Sequence, residues 1–101
     1  MHSPAGPPPT VSTDVLIVSY NTKSLLRDCL TSFIATQTGD YELWVLDNNS
    51  PDGSADMVEA EFPQVHLVRS EENLGFGRGN NVLVERGGCD YALLINPDTV
   101  F

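Results

Sequence analysis

Residues 14–47 read DVLIVSYNTKSLLRDCLTSFIATQTGDYELWVLD, and how this stretch folds decides the architecture. Val15, Leu16, Ile17 and Val18 are consecutive apolar residues, mostly β-branched, with no period of 3.6. DVLIVSY (14–20) therefore predicts a strand buried on both faces. Leu25, Leu26, Cys29, Leu30, Phe33 and Ile34 then recur at intervals of three and four, the spacing of a helix with one apolar face. Asn21 or Thr22 is the expected cap, and Gly39 the expected stop. YELWVLD (41–47) predicts a second strand. A strand, a helix and a strand in this order imply a right-handed crossover between parallel neighbours.

The same alternation continues downstream. NNSPDGS (48–54) is rich in residues that bend and cap. Residues 54–62 predict a short helix with Met57, Val58 and Phe62 facing inward, stopped by Pro63. VHLVR (65–69) predicts a third strand. Residues 73–88, NLGFGRGNNVLVERGG, predict a loop entering a helix that ends at Gly87-Gly88, and YALLI (91–95), a continuous apolar run, predicts a fourth, buried strand. The expected fold class is α/β: a Rossmann-like parallel sheet with helices on both faces and strand order 3-2-1-4. In that order YALLI lies at an edge, yet it carries none of the charges that protect edges. A further strand is expected beside it, so the reading at this stage is the N-terminal half of a larger domain.

Composition limits the function. Five basic residues stand against fourteen acidic ones, a formal charge of -9, so no nucleic acid partner is expected and an anionic ligand would need a cation to mediate. Cys29 and Cys89 lie too far apart for a CxxC site and read as small buried hydrophobes. Residues 1–13, MHSPAGPPPTVST, hold four of the seven prolines and no apolar core, and are expected to be a disordered leader. No run is long and apolar enough to predict a transmembrane segment. The expected location is cytoplasmic, with attachment to the inner face of the membrane through further parts of the protein left open.

Ligands of open parallel sheets bind outside the carboxyl ends of the strands, where strand order reverses. Those ends carry Tyr20-Asn21, Asp47, the stretch Glu71-Glu72-Asn73, and Asn96-Pro97-Asp98. The tips holding Asp47 and Asp98 should lie two strand spacings apart, roughly 10 Å, about the reach from a nucleotide base to its diphosphate. Asp47 is either an acceptor within the NNSPDGS turn or an acceptor for the imide N–H of a uracil-like base. Asp98 is either a turn residue or a hard oxygen ligand for Mg²⁺ or Mn²⁺ completed by diphosphate, with Asn96 adding at most a neutral contact. GFGRG (75–79) is not a dinucleotide fingerprint, which would directly follow the first strand. It reads either as a helix packed close to a strand or, through Arg78, as a phosphate or base contact.

Taken in order, DVLIVSYNTKSLLRDCLTSF, VLDNNSPDGSADMV, ENLGFGRGNN and YALLINPDT resemble the N-terminal, nucleotide-binding half of the family 2 glycosyltransferases, which have a GT-A fold. The resemblance runs from Asp14 to the end of the chain. It implies that Asp47 contacts the base of a nucleotide-diphosphate sugar donor, that Tyr20 and Asn21 line the same pocket, and that Asn73, Gly75 and Arg78 belong to it. It implies further that Asn96-Pro97-Asp98 occupies the family's Asp-x-Asp metal motif, with Asn96 in place of the first acid, a version similar to the rhamnosyltransferase-like branch. An inverting transfer to a glycan or lipid-linked acceptor is implied, in cell-envelope or exopolysaccharide synthesis, with the general base downstream of Phe101. The competing reading from the residues is an α/β nucleotide-binding or interaction module without chemistry.

Overall fold

The computed structural model describes residues 13–37, 41–87 and 91–97. The expected stops at Gly39 and Gly88, the packing of Cys89 and the placement of Asp98 lie outside the described residues, as does the leader up to residue 12. The elements run β1 (Thr13–Ser19), α1 (Lys23–Thr36), β2 (Tyr41–Asp47), α2 (Ser54–Glu61), β3 (His66–Arg69), α3 (Gly75–Arg86) and β4 (Tyr91–Ile95). Thr13, assigned to the leader from sequence, is the first residue of β1.

Among the described residues all pairings are parallel, as the alternation predicts, and the strand order is β3-β2-β1-β4, as in the common doubly wound arrangement. Central β1 is buried from Asp14 to Ser19, which is why its apolar run is continuous. On one face, Val15, Ile17 and Val45 pack against Leu26, Cys29, Leu30 and Phe33 of α1 and Met57 and Val58 of α2. On the other, Leu16, Val18 and Leu46 pack against Leu83 of α3. That second approach is close because α3 presents Gly79: a Cβ there would stand 2.9 Å from Val18 Cγ1. The glycine-rich segment thus has the packing role that one of its two readings assigned to it.

Three local expectations are corrected. Leu25 is 48% exposed, because the buried stripe of α1 runs through Leu26, Cys29, Leu30 and Phe33 and Leu25 lies about 40° beyond its edge at Cys29. Neither Asn21 nor Thr22 caps α1 with its side chain: Thr22 Oγ1 pairs with Ser19 Oγ at 2.9 Å, and Asn21 takes a left-handed φ of 53°. The first-turn N–H of Lys23 donates instead to Asp52 Oδ2 at 2.9 Å. Finally, β4 is not a buried strand. Tyr91, Leu93 and Leu94 are exposed, since among the described residues β4 is bordered only by β1.

Candidate functional site

The carboxyl ends of the four strands form one rim, and most of the sequence-predicted residues stand on it. Asp47 ends β2 and is 3% exposed. Its Oδ2 accepts the backbone N–H of Ser50 at 3.0 Å, which is the turn role foreseen for it. Its Oδ1 is also buried and has no hydrogen-bond partner among the described residues. Buried acceptors are nearly always satisfied, and leaving one open costs about 1–3 kcal/mol. The turn therefore uses half of this carboxylate and orients the other half.

Asp47 lines a cleft of about 220 Å³ between the tips of β2 and β3 and the start of α2, together with Asn49, Ser50, Asp56, Arg69 and Glu71. Arg69 is held there by two acids of α2: its Nη2 donates to Asp56 Oδ1 and to Glu59 Oε1, both at 3.0 Å. These bonds raise its guanidinium pKa above the ordinary arginine value. Tyr20 and Asn21 are exposed just past β1, and the Asn21 backbone N–H donates to Ser50 Oγ at 2.8 Å. The loop after β1 is thereby tied to the loop after β2.

Asn73, Gly75 and Arg78 gather at the start of α3. Asn73 Oδ1 accepts the Gly75 N–H at 2.9 Å, and Gly75 has a φ of 78°, open to glycine at little cost. Arg78 is exposed on the first turn of α3. A second cleft, of about 350 Å³, lies between α3 and β4 and is lined by Val18, Phe76, Asn80, Leu94, Asn96 and Pro97. Asn96 is exposed at its mouth. Asp47 and Asn96 thus serve neighbouring clefts, on strands that flank β1.

Two residues that organise the rim were not singled out from sequence. Asn48, 2% exposed, accepts the Leu74 N–H at Oδ1 (3.1 Å) and donates from Nδ2 to the Gly75 carbonyl (3.5 Å), fixing the start of α3 to the tip of β2. Asp52 joins the starts of α1 and α2: Oδ2 accepts from Lys23 N–H, and Oδ1 from the backbone N–H and hydroxyl of Ser54. Both lie in the NNSPDGS turn, whose capping residues were the only available signal.

Among the described residues no three His, Cys, Asp or Glu side chains come together as a metal site. Nor is any described helix long and apolar enough to cross a membrane.

Comparison with known proteins bears on this rim. The sequence profile described as "Glycosyl transferase family 2" matches residues 14–101. A Bacillus subtilis protein named as the glycosyltransferase EpsH is 28% identical over 91 residues, covering 88% of this chain and 26% of that protein. The glycosyltransferase SunS of the same organism is 24% identical over 93 residues, covering 92% of this chain and 21% of that protein. The chain thus spans about a quarter of the length of these curated relatives or somewhat less. Among solved structures, the mannosyltransferase PcManGT from Pyrobaculum calidifontis, in complex with GDP-Man and Mn²⁺, superposes with a TM-score of 0.78 at 22% identity, over 88% of this chain and 28% of that one. S. aureus TarS in complex with UDP-GlcNAc gives 0.75 at 24% identity, over 86% and 26%. At these identities the superpositions establish the Rossmann-like GT-A fold.

Proposed function

The chain belongs to glycosyl transferase family 2, and from that membership we propose that its strand-tip rim binds the nucleotide of a nucleotide-diphosphate sugar donor. The whole protein then transfers the sugar, with inversion, to a hydroxyl of a glycan or lipid-linked acceptor. One observation carries this reading: Asp47 Oδ1 is buried, oriented and without a partner among the described residues. The imide N–H of a base is a donor of the right kind, neutral and flat enough to enter a cleft. Because Ser50 already holds the other oxygen, little ordering remains to be done on binding.

In this reading the base lies over the β2–β3 cleft, with Tyr20 and Asn21 beside it, and the diphosphate extends past the start of α3, where Asn73, Gly75 and Arg78 stand. It ends near Asn96. GDP-Man and UDP-GlcNAc, bound by the two structural neighbours, are ligands of this class. The described residues around the second cleft, Asn80 and Asn96, offer neutral oxygens, so a cation there depends on Asp98 and on the diphosphate for charge. Bound so, Mg²⁺ or Mn²⁺ would neutralise charge developing on the leaving group. No residue of this chain is given the role of general base toward the acceptor.

The test is Asp47→Asn in the whole protein. One amide oxygen can still accept from Ser50, but the amide nitrogen then meets the base N–H, donor against donor. Titration with UDP and GDP should show affinity for the preferred nucleotide weakened by about 1–3 kcal/mol, with an unchanged melting temperature. Unaltered affinity with a lowered melting temperature would leave Asp47 as a turn residue alone.

A further inference from the structure

Asp47 and Arg69 are paired residues of the adjacent parallel strands β2 and β3. Their side chains leave the same face of the sheet with backbones about 4.8 Å apart. A carboxylate and a guanidinium so placed would ordinarily form an ion pair. They do not: Arg69 Nη2 is engaged by Asp56 and Glu59 of α2, and Asp47 Oδ1 stays open. Asp56 and Glu59 are 82% and 71% exposed, so as surface ion pairs they contribute little to stability. Their effect is to fix where the guanidinium stands.

Arginine carries five N–H donors in a rigid fork, so those on Nε and Nη1 remain to be used beyond the two bonds at Nη2. Asp47, Asp56 and Arg69 line the same cleft. An open acceptor next to a held donor complements a flat ring edge that carries an N–H beside a C=O. Uracil and guanine present that edge. Cytosine and adenine present a ring nitrogen acceptor where Asp47 requires a donor.

We propose that Arg69, held by Asp56 and Glu59, is a specificity-determining residue that, with Asp47, reads the adjacent N–H and carbonyl of uracil or guanine and so selects UDP- or GDP-linked donors over CDP- or ADP-linked ones. This rests on the reading of Asp47 given above. Asp56 and Glu59 act as positioning residues that keep Arg69 from closing onto Asp47.

Calorimetric titration of the whole protein with UDP, GDP, CDP and ADP, each with Mn²⁺, tests it. UDP or GDP should bind at least about tenfold more tightly than CDP and ADP, the equivalent of one good hydrogen bond. Arg69→Met should reduce that ratio by about tenfold, and Arg69→Lys, which keeps the charge but not the fork, should reduce it as well. The double variant Asp56→Asn, Glu59→Gln should lose affinity for the preferred nucleotide, because the released Arg69 occupies Asp47. Adding Arg69→Met to that double variant should restore part of the loss, which a merely structural role for the two acids would not produce. Equal affinity of the unmutated protein for all four nucleotides, or an unchanged ratio in both Arg69 variants, would overturn the proposal. If Asp47→Asn leaves binding intact, the earlier reading of Asp47 fails. If Asp47→Asn weakens binding while the Arg69 variants keep the ratio, only the present inference fails.

Discussion

Asp47 divides its two oxygens between a turn and an open cleft. From sequence its two readings, turn acceptor and base acceptor, were alternatives, because a one-dimensional pattern gives a carboxylate a single environment. The structure bears out the turn contact and leaves the second oxygen to the proposed ligand. Gly79 shows the opposite case. Three glycines alternate in GFGRG, and nothing in the string distinguishes them. In the fold, a Cβ at Gly77 would meet nothing within 4 Å, whereas one at Gly79 would press on Val18, a stiff β-branched side chain that is 2% exposed. Gly79→Ala should therefore destabilise the chain by about 1–3 kcal/mol, read as a shift in urea midpoint. Gly77→Ala, on a helix with open space beside it, should not lower stability.

Among the elements, the two helices α1 and α2 start from one carboxylate. Asp52 accepts from Lys23 at the first turn of α1 and from Ser54 at the first turn of α2. Its pKa is lowered: burial alone would raise it, but the Ser54 hydroxyl and the Lys23 and Ser54 N–H groups together outweigh that. A folded value below the unfolded one means the stabilisation is present above the unfolded pKa, about 4, and is lost as pH falls through the folded value. Asp52→Ala should cost about 0.5–2 kcal/mol near pH 7, and the gap to the unmutated chain should narrow below about pH 4. Urea melts at both ends of that range check it. The helix periods were legible in the sequence. The cap was not, because helix N-caps are sought in the residues just before the first turn, and this one arrives from 29 positions away.

For the whole molecule, alternation and handedness gave the parallel sheet, and the common doubly wound arrangement gave the strand order, which the structure has. The burial of β4 did not follow. YALLI has the composition of a covered strand, and composition does not say what covers it. With Tyr91, Leu93 and Leu94 exposed along an edge that no other described strand borders, the 101-residue chain should self-associate as its concentration rises. Sedimentation velocity would show this, and Leu94→Lys should suppress it. The charge of -9 makes a second demand. A nucleoside diphosphate approaching so acidic a molecule should bind at least about tenfold more weakly after chelation of divalent metal, whereas the uncharged nucleoside should be indifferent to it. Equal loss for both ligands would remove the metal from the diphosphate.

The central claim is that the open oxygen of Asp47 receives the base of the donor. A crystal structure of the whole protein with Mn²⁺ and its preferred nucleoside diphosphate tests it most directly. The account predicts the base over the β2–β3 cleft, with its ring N–H about 2.9 Å from Asp47 Oδ1 and the Ser50 contact retained. A base seated elsewhere on the rim, with Asp47 Oδ1 still unpartnered or bonded only to Arg69, would contradict it.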